Sequence, residues 1–118
     1  MNGLCRFIDL DVDVLWSGSL LRLPAKPPYE EYVEFMFFET QKEETPYGLI
    51  VSSGYKAGLI LVYLPKESCA SGGGIERQWI IDNWSLWIYP NCGIEMVFYA
   101  DNRNVELIRP LQLFVALK

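Results

Sequence analysis

The stretch from Trp79 to Pro90, WIIDNWSLWIYP, places three of the chain's four tryptophans within nine residues. Apolar residues at Ile80, Ile81, Trp84, Trp87 and Ile88 follow the three- and four-residue rhythm of a helix face buried against a large apolar surface. Ile75, Trp79 and Leu86 fall on the other side, separated from that face by Glu76, Gln78, Asp82, Asn83 and Ser85. A helix with two apolar stripes is either sandwiched between layers or touches a partner. The pattern predicts one main helix over about residues 75–89. Pro90 ends it, because a proline disfavours helical geometry at the residue before it.

Around this helix the period is two. Leu4, Ile8, Leu10, Val12, Val14 and Trp16 share one face with Arg6, and Asp9, Asp11 and Asp13 share the other, which predicts a half-buried strand over residues 4–16. Leu20 to Leu23 reads as a short second strand after the Ser17-Gly18 turn, and Pro24, Pro27 and Pro28 make a stiff connection. Tyr32 to Glu39 is a third strand, with Val33, Phe35 and Phe37 on its apolar face. Tyr47 to Ser52 and Leu59 to Leu64 form a pair joined across SGYKAG, and Pro65 ends it. Ser68 to Gly74 reads as a flexible lead into the helix. Ile94 to Ala100 and Val105 to Leu117 complete the set, with Asp101 to Asn104 as a hairpin turn. The expected fold is α+β: an antiparallel sheet of about six strands packed against one main helix, in a single domain over residues 1–118.

Chemistry is scarce. The chain has no histidine, which removes Ser-His and Cys-His nucleophile pairs and any His-bearing metal site. Cys5, Cys69 and Cys92 are widely spaced and read as buried or inert thiols. Asp9, Asp11 and Asp13 imitate the start of a calcium loop. Counting from Asp9, however, Val14 and Leu20 stand where that loop needs Gly and Glu, and a strand would space the carboxylates about 7 Å apart. Gly72-Gly73-Gly74 lacks the Lys-Ser/Thr of a phosphate loop. Glu30, Glu31 and Glu34 are an acidic strand surface and not a glycosidase pair. No metal, cofactor or catalytic group is expected.

The charge is lopsided. Residues 1–44 carry nine acidic and four basic side chains, whereas residues 45–118 carry six of each. The whole net charge of −5 therefore lies in the first third, which disfavours a phosphate backbone as partner and favours a basic protein. The longest apolar run, Leu59 to Leu64, is strand length, and Asp9, Asp11 and Asp13 stand where a secretory signal would be apolar, so a cytoplasmic protein without a membrane segment is expected.

Four segments in consistent order, IDLDVDVLW (Ile8 to Trp16), YVEFMFFE (Tyr32 to Glu39), SSGYKAGLILVYLPKES (Ser52 to Ser68) and WIIDNWSLWIYP (Trp79 to Pro90), resemble the bacterial polymorphic-toxin immunity family numbered forty-five. The resemblance implies a cytoplasmic, non-enzymatic antidote. Such a protein binds the C-terminal toxin domain of an effector delivered by contact-dependent or type VI secretion, and many such toxins are nucleases with basic grooves. The candidate toxin-binding residues are Asp9, Asp11, Asp13, Glu30, Glu31 and Glu34 by charge, and Trp79 and Leu86 by their apolar stripe, since aromatic residues are favoured anchors at interfaces. Two other classes share these features: a generic interaction or adaptor domain, and a small-ligand domain with a pocket near Trp79 and the SGYKAG turn.

Overall fold

A computed structural model describes residues 4–100 of the chain. Its main body is a six-stranded, wholly antiparallel sheet built from β1 (Leu4–Arg6), β3 (Leu20–Pro24), β4 (Tyr32–Glu39), β5 (Tyr47–Val51), β6 (Ile60–Leu64) and β8 (Phe98–Ala100). The spatial order is β1-β8-β3-β4-β5-β6, so β8, the last strand among the described residues, enters between β1 and β3. A second, two-stranded ladder joins β2 (Val14–Leu15) to β7 (Ile75–Glu76). The helix α1 (Arg77–Asn83) follows β7 directly, and a π turn over Trp84–Ile88 extends it. The α+β expectation holds. The strand Val105 to Leu117 and its turn lie outside the described residues.

The strands β3 to β6 fall where their composition places them. β4 is rich in aromatic and β-branched residues, which fit a pleated, half-buried surface. It buries Val33, Phe35 and Phe37 on one face while Met36 and Phe38 are only partly covered on the other. Leu21 and Leu23 of β3 and Leu49 and Val51 of β5 continue this buried face, and Leu64 closes it on β6. A register shift at Leu49/Ile50 marks a bulge in the β5–β6 pairing.

The helical layer covers that face with Ile80, Trp84, Ile88 and Tyr89. The buried residues recur at a four-residue spacing, and Trp87 is 40% exposed although the simple helical rhythm puts it in the core. The π turn accounts for the difference. The Tyr89 amide donates to the Trp84 carbonyl at 3.0 Å, a five-residue step that widens the turn and rotates Trp87 outward. Helical geometry ends at Tyr89, which is extended before Pro90 as the sequence requires. Ile75, read as part of the outer stripe, belongs to β7 and is fully buried.

Residues 4–16 do not form one strand. β1 ends at Arg6, a 3-10 turn takes Phe7–Asp9, and the chain bends before β2. The buried residues here are Phe7 and Leu15, which have the opposite parity to the predicted apolar face, and Val12 and Trp16 are exposed. Ile94 to Ala100 is likewise divided into a 3-10 turn at Ile94–Met96 and the short strand β8. The glycine run before β7 is a closed turn and not a loose lead. Gly74 has φ +84°, its amide donates to the Tyr47 hydroxyl at 2.9 Å, and an added Cβ would collide with Val14. The thiols are less hidden than expected: Cys5 is exposed, and Cys69 and Cys92 are half-buried.

Trp84 is 2% exposed, and its indole N–H donates to the Cys92 carbonyl at 2.9 Å. Trp84→Ala should therefore lower stability by about 3–5 kcal/mol, the usual cost of deleting a buried large aromatic. Urea unfolding would measure it, and a loss below about 1 kcal/mol would remove Trp84 from the core.

Candidate functional site

Arg77 organises the segment that carries the three aspartates. Its Nε donates to the Val12 carbonyl at 2.8 Å and one terminal nitrogen to the Ile8 carbonyl at 3.4 Å. Its backbone amide donates to the Asp13 carbonyl at 2.9 Å. The loop from Ile8 to Asp13 thus wraps around the first residue of α1. Its carbonyls take the guanidinium, so the cation neutralises none of the three carboxylates by direct pairing. Asp9, Asp11 and Asp13 are all exposed. Strand geometry predicted their outward display; a loop tied to a distant arginine provides it.

The other three acids separate. Glu31 is exposed and contributes its carbonyl to the Ala25 amide at 2.7 Å. Glu34 is 8% exposed. Its carboxylate accepts from Arg22 at 2.9 Å and from the Ser52 hydroxyl at 2.9 Å, so it is engaged inside the sheet. Glu30 lies against Gly54 in the SGYKAG turn, accepting from the Tyr55 amide at 3.2 Å, while its other carboxylate oxygen is buried without a hydrogen-bond partner. Gly54 has φ +73°, and a side chain there would meet the Glu30 carboxylate. Glu30 and Glu34 hold the fold; Asp9, Asp11, Asp13 and Glu31 face solvent.

The apolar candidates come together on the helical segment. Trp79 is half-buried, and its ring packs on Trp87 at 5.7 Å between centroids, tilted by 58°. Leu86, beside Trp87 in the π turn, is 84% exposed. Arg77, two residues before Trp79, anchors the acidic loop to the same helix. Sequence reasoning missed Arg77, because the partners of its guanidinium are backbone carbonyls about 65 residues away, which no side-chain pattern reveals. It also misassigned Trp87, for want of any signal for the π turn.

Burial, reinforced by the carboxylate of Glu95, pushes the Cys92 thiol up from its ordinary pKa and makes it a poor nucleophile. No group of three or more Cys, Asp or Glu side chains among the described residues is placed to hold a metal ion. No helix among them is long and apolar enough to cross a membrane. The site offers surface: exposed carboxylates at Asp9, Asp11, Asp13 and Glu31, and exposed apolar side chains at Leu86 and Trp87 on the helical segment.

The sequence pattern of the immunity protein 45 family matches residues 7–99, and the chain belongs to that family. No curated protein and no solved structure shows significant similarity to it. Membership supports an immunity function exerted on a toxin protein.

If Arg77 shapes the acidic loop, Arg77→Ala should cost about 1–2 kcal/mol through two carbonyls left without their charged donor. Backbone amide exchange should accelerate across residues 8–13 while β4 and β5 keep their protection. Unchanged exchange in the loop would show that it holds its shape without the guanidinium.

Proposed function

We propose that this chain neutralises a cognate secreted toxin domain by forming a stoichiometric, non-covalent complex in the cytoplasm of the producing cell. The toxin is a nuclease or another protein acting in that compartment. The observation that carries the reading is the family match over residues 7–99; exposed carboxylates and exposed apolar side chains near the helical segment support it. Asp9, Asp11, Asp13 and Glu31 meet a basic toxin surface, and Trp79, Trp87 and Leu86 supply apolar contact beside them.

The two parts act on different terms of binding. Exposed carboxylates attract a basic partner through solvent over roughly one Debye length, about 8–10 Å at moderate salt, and so raise the encounter rate. Exposed aromatic rings act after encounter, by leaving water when the surfaces close.

Co-expression with the cognate toxin domain should rescue growth, and the two proteins should co-purify as a stable complex. Rescue without any complex detectable by gel filtration or calorimetry would sink the stoichiometric mechanism.

Replacing Asp9, Asp11 and Asp13 together by Asn should slow association several-fold at low salt, with the circular dichroism and melting behaviour of the parent retained. Stopped-flow rates that barely change, or parent binding insensitive to ionic strength, would move the interface away from the acidic loop.

A further inference from the structure

The opposite face of the sheet carries a second feature, chemically unlike the acidic loop. A half-open groove of about 260 Å³ is lined by Arg22, Leu23, Pro24, Tyr32, Met96 and Phe98. Tyr32 is 61% exposed, Met96 45% and Phe98 39%, so three of the protein's large exposed apolar side chains converge on one concavity. Aromatic residues, Met and Arg are the residue types enriched at protein interfaces.

Register places the cations. Phe98 of β8 stands directly opposite Arg6 on β1 and Arg22 on β3, and directly opposed residues of antiparallel strands share a face. Phe98 therefore lies between two arginines. Arg22 donates one of its N–H groups to Glu34, which leaves further donors of its fork unused. Arg6 is exposed and takes part in no ion pair among the described residues. A surface with an apolar floor and spare guanidinium donors on both flanks of an aromatic ring fits an apolar body that carries a carboxylate.

Modest volume and an open rim favour a protein side chain over a small molecule. Small-molecule sites usually occupy about 300–1,000 Å³ and enclose most of their ligand. This groove is smaller and half open, which fits one large side chain presented by a larger body.

We propose that the Tyr32–Met96–Phe98 groove is an anchor pocket for one large apolar side chain of the bound toxin, flanked there by a carboxylate that Arg6 and Arg22 recognise. The assignment rests on the toxin-binding reading only for the identity of the partner; the chemistry of the occupant follows from the groove. A toxin that meets Asp9, Asp11 and Asp13 with basic residues meets the groove with an acidic-apolar element, and the two contacts together fix its orientation.

The test uses N-acetylphenylalanine and its uncharged amide as probes, titrated into the isolated protein and followed by amide chemical shifts. The acid should shift the amides of Arg22, Met96 and Phe98, with a dissociation constant weaker than about 100 µM, as expected of a lone side-chain anchor. It should bind about two- to five-fold more tightly than the amide, the scale of an exposed charge pair. Arg6→Gln should reduce that preference while amide binding persists, and Tyr32→Ala should weaken both probes. Addition of one equivalent of the co-purifying toxin domain should abolish the probe-induced shifts.

Equal affinity for acid and amide would overturn carboxylate recognition. Shifts absent from Met96 and Phe98 would overturn the pocket, and binding tighter than about 100 µM would make it a small-molecule site. Probe shifts that persist in the toxin complex would show that the toxin is not the occupant. The first measurements contain no toxin, so their failure leaves neutralisation standing, and failure of toxin binding leaves the groove's chemistry standing.

Discussion

Burying Trp84 sets the path of the chain from Pro90 to β8. An indole can enter a core only if its N–H finds an acceptor there, since an unpaired buried donor costs about 1–3 kcal/mol. The acceptor is the Cys92 carbonyl, so the chain after Pro90 must turn back beneath the helical layer. Held there, it passes through the Ile94–Met96 turn, and the Val97 carbonyl accepts from the Phe7 amide at 2.8 Å. β8 then lies between β1 and β3 and pairs with both. One hydrogen bond in the core thus leads to the placement of Phe98 between Arg6 and Arg22 on the other side of the sheet.

The parts legible in the sequence are those whose information is local. β4 runs from Tyr32 to Glu39 as read, because an alternating aromatic and β-branched run bounded by polar loops has no better solution than a half-buried strand. The turn after β5 and the stop at Pro65 follow from glycine and proline in the same way. The parts misread depend on distant partners. The alternation of residues 4–16 imitates a strand, yet Arg77 captures the carbonyls of Ile8 and Val12 that a strand would give to a neighbour. The burial parity then falls to Phe7 and Leu15. Trp87 was misplaced because a helical rhythm presumes a constant turn, and the π turn changes it after Trp84.

The candidate site shows the same division. Composition located the excess negative charge in the first third of the chain, but charge counting cannot tell a free carboxylate from an engaged one. Glu34 has the same sequence credentials as Glu31. Its strand position places it opposite Arg22 and beside Ser52, whereas Glu31 lies outside β4 and stays in solvent. Glu30 is drawn into the turn at Gly54. Of the apolar candidates, Leu86 is as exposed as its stripe implied, and Trp79 gains in Trp87 a neighbour that the helical wheel had placed in the core.

A single sheet-and-helix layer pair gives this protein two chemically opposite surfaces, and that opposition has a physical consequence for recognition. A uniformly acidic antidote would attract any basic patch in many orientations, because long-range charge has little angular detail beyond a Debye length. A concave apolar groove flanked by Arg6 and Arg22 has angular detail but little reach. Under the proposed reading, the acidic loop would raise the frequency of encounter and the groove would admit only the orientation that presents a matching side chain. A wrong partner that satisfied the loop would set basic residues against the unpaired guanidinium of Arg6 at the groove, since Glu34 already balances Arg22, and like charges held together at a closing interface oppose the complex. If the proposed pocket is correct, specificity for one toxin among many basic proteins would rest on Arg6 and Arg22, which an antidote built for charge attraction alone would not need.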